Sequence, residues 1–141
     1  VLSHAMRSRE IHRTYQAFAL GETAASGTID APIARLNGSL IQRTVDFASG
    51  ERSVTHYRTL AHCSVFSHLE LNLETGRTHQ IRVHMAYIGH PLLGDTLYNK
   101  TPGTFPRQAL HSASLSFVHP ITGEPLNFHA PLPEDMQNLL T

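Results

Sequence analysis

The residue with the clearest chemical demand is Arg82. It lies in a stretch, residues 79–88, where Ile81, Val83, Met85, Ala86, Tyr87 and Ile88 point in most directions around a helix. A helix that is apolar nearly all round is usually buried. A buried guanidinium cannot shed its proton, so it must be paired and hydrogen-bonded. In that setting an arginine holds a catalytic carboxylate, keeps it ionised near neutral pH and fixes its direction. Glu70, Glu74 and Asp95 are the candidate partners in the chain, and nothing in the sequence places one of them against Arg82. The other reading is an arginine partly exposed, or bonded to backbone carbonyls.

The eleven histidines raise the question of a metal site. His79 and His84 are five apart, which separates them by about 140° around a helix. A zincin-like pair needs i, i+4 spacing. There is one cysteine and no H-E-x-x-H, so no metal site is expected. No Gly-x-Ser-x-Gly occurs either, which leaves serine hydrolysis unsupported. Cys63 alone cannot form an intrachain disulfide, which fits a reducing compartment.

These residues must be positioned by elements that the sequence partly announces. Residues 1–10 read as the tail of a helix, and residues 11–20 alternate as a strand ending at Gly21. Residues 22–39 hold short extended pieces. Residues 40–48 and 52–62 suggest a hairpin turning at Ser49-Gly50-Glu51. Residues 64–73 alternate through Val65, Leu69, Leu71 and Leu73 as a half-buried strand. Thr78 is a candidate N-cap for a helix from His79 to Ile88, closed by Gly89 and Pro91. Strands follow over 108–118 and near 125–129, with a turn between them, and Pro133, Glu134 and Asp135 open a short final helix. The fold class expected is α+β: a mixed, mostly antiparallel sheet with few helices.

Length and composition set wider bounds. The 141 residues suit one domain or a large piece of one, with 40% hydrophobic and only 16% charged residues. No apolar run approaches the roughly 18 to 20 residues of a membrane helix. Formal net charge is zero, yet ten of the eleven cations are arginine, with Lys100 the one lysine. Arginine suits bidentate phosphate contacts and stacking on bases, and a codon or genome preference for Arg is the plainer account.

Residues 75–98, TGRTHQIRVHMAYIGHPLLGDTLY, closely resemble the signature of RluA-type RNA pseudouridine synthases. Residues 10–21 resemble the family's segment around its active-site tyrosine. Residues 27–36 resemble its G-x-I-x-x-P-I segment, and residues 107–133 its closing strands. The resemblance covers nearly the whole chain and implies the pseudouridine synthase catalytic fold, incomplete at its N-terminal side. It implies that a uridine in RNA, ribosomal or transfer, is flipped into a pocket and isomerised to its C-glycoside. The partner is RNA; no membrane, metal or small-molecule cofactor is implied, and the expected location is cytoplasmic.

Carried over residue by residue, Tyr15 matches the tyrosine that stacks on the base and moves a proton. Read without the resemblance, Tyr15 is a strand aromatic in the core. Arg82 matches the basic residue that pairs with the nucleophile. Ile81 matches an apolar wall of the base pocket, with Arg77 and His79 as further substrate-binding residues. The family's nucleophilic aspartate sits in an H-R-L-D segment before the tyrosine strand, and this chain holds none. The nearest likeness, Arg35-Leu36-Asn37, lies after Tyr15 and offers a neutral amide. Asp30, Asp46, Asp95 and Asp135 match no nucleophile position, and Asp95 resembles a structural turn. Residues 1–141 are thus expected to be a partial catalytic domain without activity of its own. The alternative is an RNA-binding module that does no chemistry, using Arg7, Arg9, Arg13 and Arg77 on phosphates.

Overall fold

A computed structural model describes residues 11–118 and 121–140. The expected helix tail at residues 1–10, with Arg7 and Arg9, lies outside these. The described chain runs β1 (Ile11–Leu20), β2 (Ser26–Asp30), β3 (Ile33–Arg35), β4 (Arg43–Val45), β5 (Val54–His62), β6 (Phe66–Leu73), α1 (Gln80–Tyr87), β7 (Leu110–Val118), β8 (Pro125–His129) and α2 (Glu134–Gln137), then one turn of 3-10 helix. Six strands form one sheet in the order β2-β5-β6-β1-β7-β8, and every pairing is antiparallel. β3 and β4 make a separate two-stranded hairpin. The α+β class read from the sequence is the class observed.

β1 lies inside the sheet, and its alternation divides the core in two. Ala17 and Ala19 face one side, where Leu69, Leu71, Ile81, Met85 and Leu92 close over them. Phe18 faces the other, packed with Ala109 and Met136 of α2. Phe18 also stacks on His68, with centroids 4.5 Å apart and planes 4° from parallel. α1 thus covers one face and α2 the other. Burying a side chain such as Leu69 or Met85 contributes about 1.5–3 kcal/mol.

Two expectations need correction. Residues 40–48 do not pair with residues 52–62. β5 is taken up by β2 and β6, and β4 pairs with β3. The hairpin is closed by the loop of residues 36–42, which turns at Asn37-Gly38 with Gly38 at φ +82, a left-handed position suited to glycine. The Ser49-Gly50 turn has a different job. The Asp46 carboxylate accepts from the Ala48 and Ser49 amides there and turns the chain back to Ile33.

The helix also starts one residue late and without a threonine cap. His79 occupies the N-cap at φ 56, and no side chain caps the end there. The cause is Gln80. Its carbonyl oxygen accepts from the Thr75 hydroxyl and the Arg77 amide, so the chain before the helix is already tied. α1 is also less enclosed than its apolar run suggests, since Tyr87 is exposed.

The link from α1 to β7 passes through a tight crossing at Gly94. Leu93 is held by β1, its amide donating to the Phe18 carbonyl. Gly94 has φ +72, and a β-carbon there would lie 1.8 Å from the Arg107 carbonyl oxygen. Only glycine passes this crossing, and the next residue is Asp95. Gly94→Ala is therefore expected to cost more than the ~1–2 kcal/mol of a left-handed φ alone, because backbone must move. Urea denaturation checks this; a loss below that range shows the crossing to be loose.

Candidate active site

Arg82 finds its partner inside the chain. Its Nε donates to Asp95 Oδ2 and its Nη2 to Asp95 Oδ1, both at 2.9 Å. The Asp95 side chain is fully buried and that of Arg82 is 13% exposed. Asp95, one of the three carboxylates that the sequence left open, is thus the partner of this guanidinium. Of the other two carboxylates left open, Glu70 pairs with Arg58 and Glu74 with Arg52 and His56.

Asp95 is fixed by more than Arg82. Its Oδ1 also accepts from the Leu97 and Tyr98 amides, at 3.0 and 3.2 Å. Burial pushes its pKa up, but the Arg82 bond and charge, with those two amides, outweigh this and hold it below the usual carboxylate value. The turn that the sequence suggested for Asp95 is real, and the same carboxylate serves as the arginine's anchor.

One edge of the guanidinium remains. Nη1 takes no acceptor among the described residues. No buried side-chain nitrogen or oxygen among them lacks a partner, so this edge is open to an incoming group. Tyr98 holds the flat face, its ring centroid 5.1 Å from the Arg82 Cζ. The Tyr98 hydroxyl accepts from the Arg43 amide at 2.9 Å and meets His79 Nδ1 at 2.7 Å. Burial, with the Arg82 and Arg43 charges, pushes the His79 pKa down against the pull of Asp95. The lowered pKa favours the neutral ring, whose Nδ1 shares a hydrogen bond with the Tyr98 hydroxyl.

A buried polar chain seats α1. His84 is fully buried, with Nε2 donating to the Ala31 carbonyl and Nδ1 accepting from the Thr55 hydroxyl, both at 2.8 Å. Gln80 donates to the Thr55 hydroxyl and the Val54 carbonyl. Burial pushes the His84 pKa down, outweighing the Ala31 carbonyl and the Asp30 charge. This histidine is a neutral structural pin.

The residues singled out in the sequence fall in three places. His79 and Arg82 share the polar face at the start of α1 with Tyr98 and Asp95. Ile81 is buried in the apolar cluster beneath, and half-buried Tyr15 packs against that same cluster from β1. Arg77 lies before the helix, its Nε on the Arg52 carbonyl and its Nη1 on Glu51. Tyr98, His84 and Gln80 were missed. A G-D-x-x-Y spacing after the helix is the signal that points to Asp95 and Tyr98 together. Among the described residues no group of three metal-ligating side chains occurs, and no helix is long and apolar enough to cross a membrane.

Comparison with known proteins gives consistent results. The profile of the RNA pseudouridylate synthase family matches residues 1–87. The chain is 50% identical to an uncharacterised RNA pseudouridine synthase of Bacillus subtilis, over 99% of this chain and 50% of that protein. It is 44% identical to the ribosomal large subunit pseudouridine synthase D of Escherichia coli K12, over 99% of this chain and 47% of that one. The chain thus spans about half the length of the curated relatives it matches. The human RNA pseudouridylate synthase domain containing 1 superposes with a TM-score of 0.79 at 26% identity, over 92% of this chain and 58% of that one. A second human protein of that kind, domain containing 4, at TM-score 0.80 and 21% identity, shares the fold.

Two outcomes are expected. Asp95→Ala or Arg82→Met alone strands a buried charge and costs about 3–5 kcal/mol. The double change costs less than the sum of the two, which a double-mutant cycle in urea measures. The second concerns acid. His68, His79 and His84 all have lowered pKa values. The unfolded chain takes up protons below about pH 6.5, where the folded chain resists them. Stability is complete above that value and is lost as pH falls. His84→Gln should lose less stability than the parent between about pH 7 and pH 5; equal losses show that His84 does not contribute.

Proposed function

This chain belongs to the RluA-type RNA pseudouridine synthases, and from that premise we propose that it forms part of a catalytic domain that isomerises uridine in RNA to pseudouridine. In this reading the nucleophilic aspartate comes from outside these 141 residues, and Arg82 receives it. The observation that carries the reading is the open Nη1 edge of a guanidinium otherwise locked by Asp95 and Tyr98. Asp95 does not compete for the incoming acid; it orients the arginine that will hold it. A guanidinium has five N–H donors in a planar fork, so it can serve two carboxylates on two edges.

The chemistry then divides among few groups. The incoming aspartate, kept ionised by Arg82, attacks the nucleoside and the glycosidic bond to N1 breaks. The freed base turns within the pocket, bounded by Ile81 and the ring of Tyr15. C5 joins the sugar as the aspartate–sugar bond breaks and the carboxylate is released; the C5 proton is lost to water and N1 gains one, so the change is an isomerisation. Tyr15 stacks on the base and assists the proton transfer. Arg77 and His79 bind the substrate at the mouth. The names of the relatives favour ribosomal large-subunit RNA over transfer RNA as the substrate. An RNA substrate and a single cysteine fit a cytoplasmic setting.

Release of tritium from 5-tritiated uridine in RNA tests the reading. The 141 residues alone are expected to release none, and a longer chain bearing an H-R-L-D segment is expected to turn over. Tyr15→Phe in that longer chain should lower turnover by about 10²-fold or more, the scale of a lost acid–base group, with the fold intact by circular dichroism. Release by these residues alone would overturn the divided site. Binding of RNA without release by the longer chain would instead favour a module that does no chemistry.

A further inference from the structure

A polar cleft of about 380 Å³ opens beside the start of α1, lined by Arg35, Arg43, Glu51, Gly76, Arg77 and Thr78 among others. Three arginines and one glutamate line it. The glutamate is already committed, since Glu51 pairs with Arg77 at 3.0 Å. Arg43 uses one nitrogen on the Ile41 carbonyl at 3.0 Å and has no carboxylate partner among the described residues. Arg35 is exposed and makes no side-chain hydrogen bond or ion pair among those residues.

These two cations face each other directly. Arg35 and Arg43 are register partners across the β3–β4 hairpin. Like charges directly opposite in an antiparallel pair are destabilising. The cost falls on strands of only three residues each, the length at which an isolated hairpin is marginal. An anion between the two forks reverses the sign of that interaction. The planar fork of arginine matches phosphate oxygens.

The cleft is coupled to the candidate active site. The Arg43 amide donates to the Tyr98 hydroxyl, which also binds His79 Nδ1, and the Tyr98 ring carries Arg82. A strand whose phosphate lies between Arg35 and Arg43 therefore passes next to the pocket where its base would react. We propose that this cleft binds a phosphodiester of the RNA strand flanking the target nucleoside, gripped by Arg35 and Arg43. The proposal rests on the RNA reading above and adds two residues to it. The contact is to the backbone, so it sets the register of the strand and carries no sequence information.

The test is the salt dependence of RNA binding by the full-length protein that carries this chain. The probe is a fluorescein-labelled RNA stem-loop with a uridine in its loop, followed by anisotropy. Arg35→Ala and Arg43→Ala are each expected to weaken binding and lower the slope of log K against log salt by about 1. Arg35→Lys keeps most of the slope, because a point charge still meets the phosphate. Arg58→Ala is the control. It removes the same charge from the exposed Arg58–Glu70 pair on β5, and its slope stays at the parental value. Arg35 has no partner to lose, so its variant reports on binding even where Arg43→Ala fails to fold. A parent that binds with a slope unchanged by Arg35→Ala overturns the cleft alone. A parent that does not bind the RNA overturns the cleft and the RNA reading together.

Discussion

The ion pair between Arg82 and Asp95 organises this half of the molecule. Its carboxylate is fully buried and its guanidinium nearly so. An ion pair in that setting contributes little net stability against an apolar replacement, because desolvation offsets the attraction. What it contributes is direction. Two parallel hydrogen bonds at 2.9 Å and a ring beneath leave the arginine no rotamer freedom. A group that must meet an acid at a fixed point gains from having that freedom removed in advance.

The rest of the architecture can be read as the support for that pair. Asp95 reaches Arg82 because Gly94 passes against the Arg107 carbonyl, and because Leu93 is bonded to β1 and to Ala109. Arg82 stays in place because α1 is pinned by His84 to Ala31 and by Gln80 to β5. These pins are polar and buried, so each is worth most as a penalty on alternatives. A shift of α1 by one residue would leave the His84 ring, the Thr55 hydroxyl and the Gln80 amide without partners. The apolar cluster under the helix supplies the bulk of the stabilisation, and the polar chain selects one register of it.

The sheet was legible in the sequence because its central strands alternate. β1 and β6 alternate in sequence although their middles are buried on both faces, and the expected strands end within about two residues of those observed. The β3–β4 hairpin was not legible, although Asn37-Gly38 is a strong turn signal. The longer run of residues 52–62 drew the pairing away, and only the three-dimensional sheet shows β5 already filled on both edges. In the site, the need of Arg82 for a carboxylate was visible from burial alone, and the partner was not. Thirteen residues and a turn separate Arg82 from Asp95, and no local periodicity spans them. Tyr98 was hidden for a different reason: its role comes from a ring face and a shared hydroxyl, which residue type does not announce.

Charge shows why a zero balance excluded little. The acids and bases are equal in number along the chain, yet they are not equally committed. Glu51, Glu70, Glu74 and Asp95 are all spent on arginine partners. Arg35 has no carboxylate among the described residues and faces Arg43 across the hairpin. Arg35, Arg43 and Arg77 against the single Glu51 leave a local positive excess at one cleft. The field that an approaching polyanion meets depends on this local excess, because screening at physiological salt limits its view to about 8 Å. A neutral chain can in this way present a cationic site, one linked to Arg82 through the Arg43 amide and the Tyr98 ring.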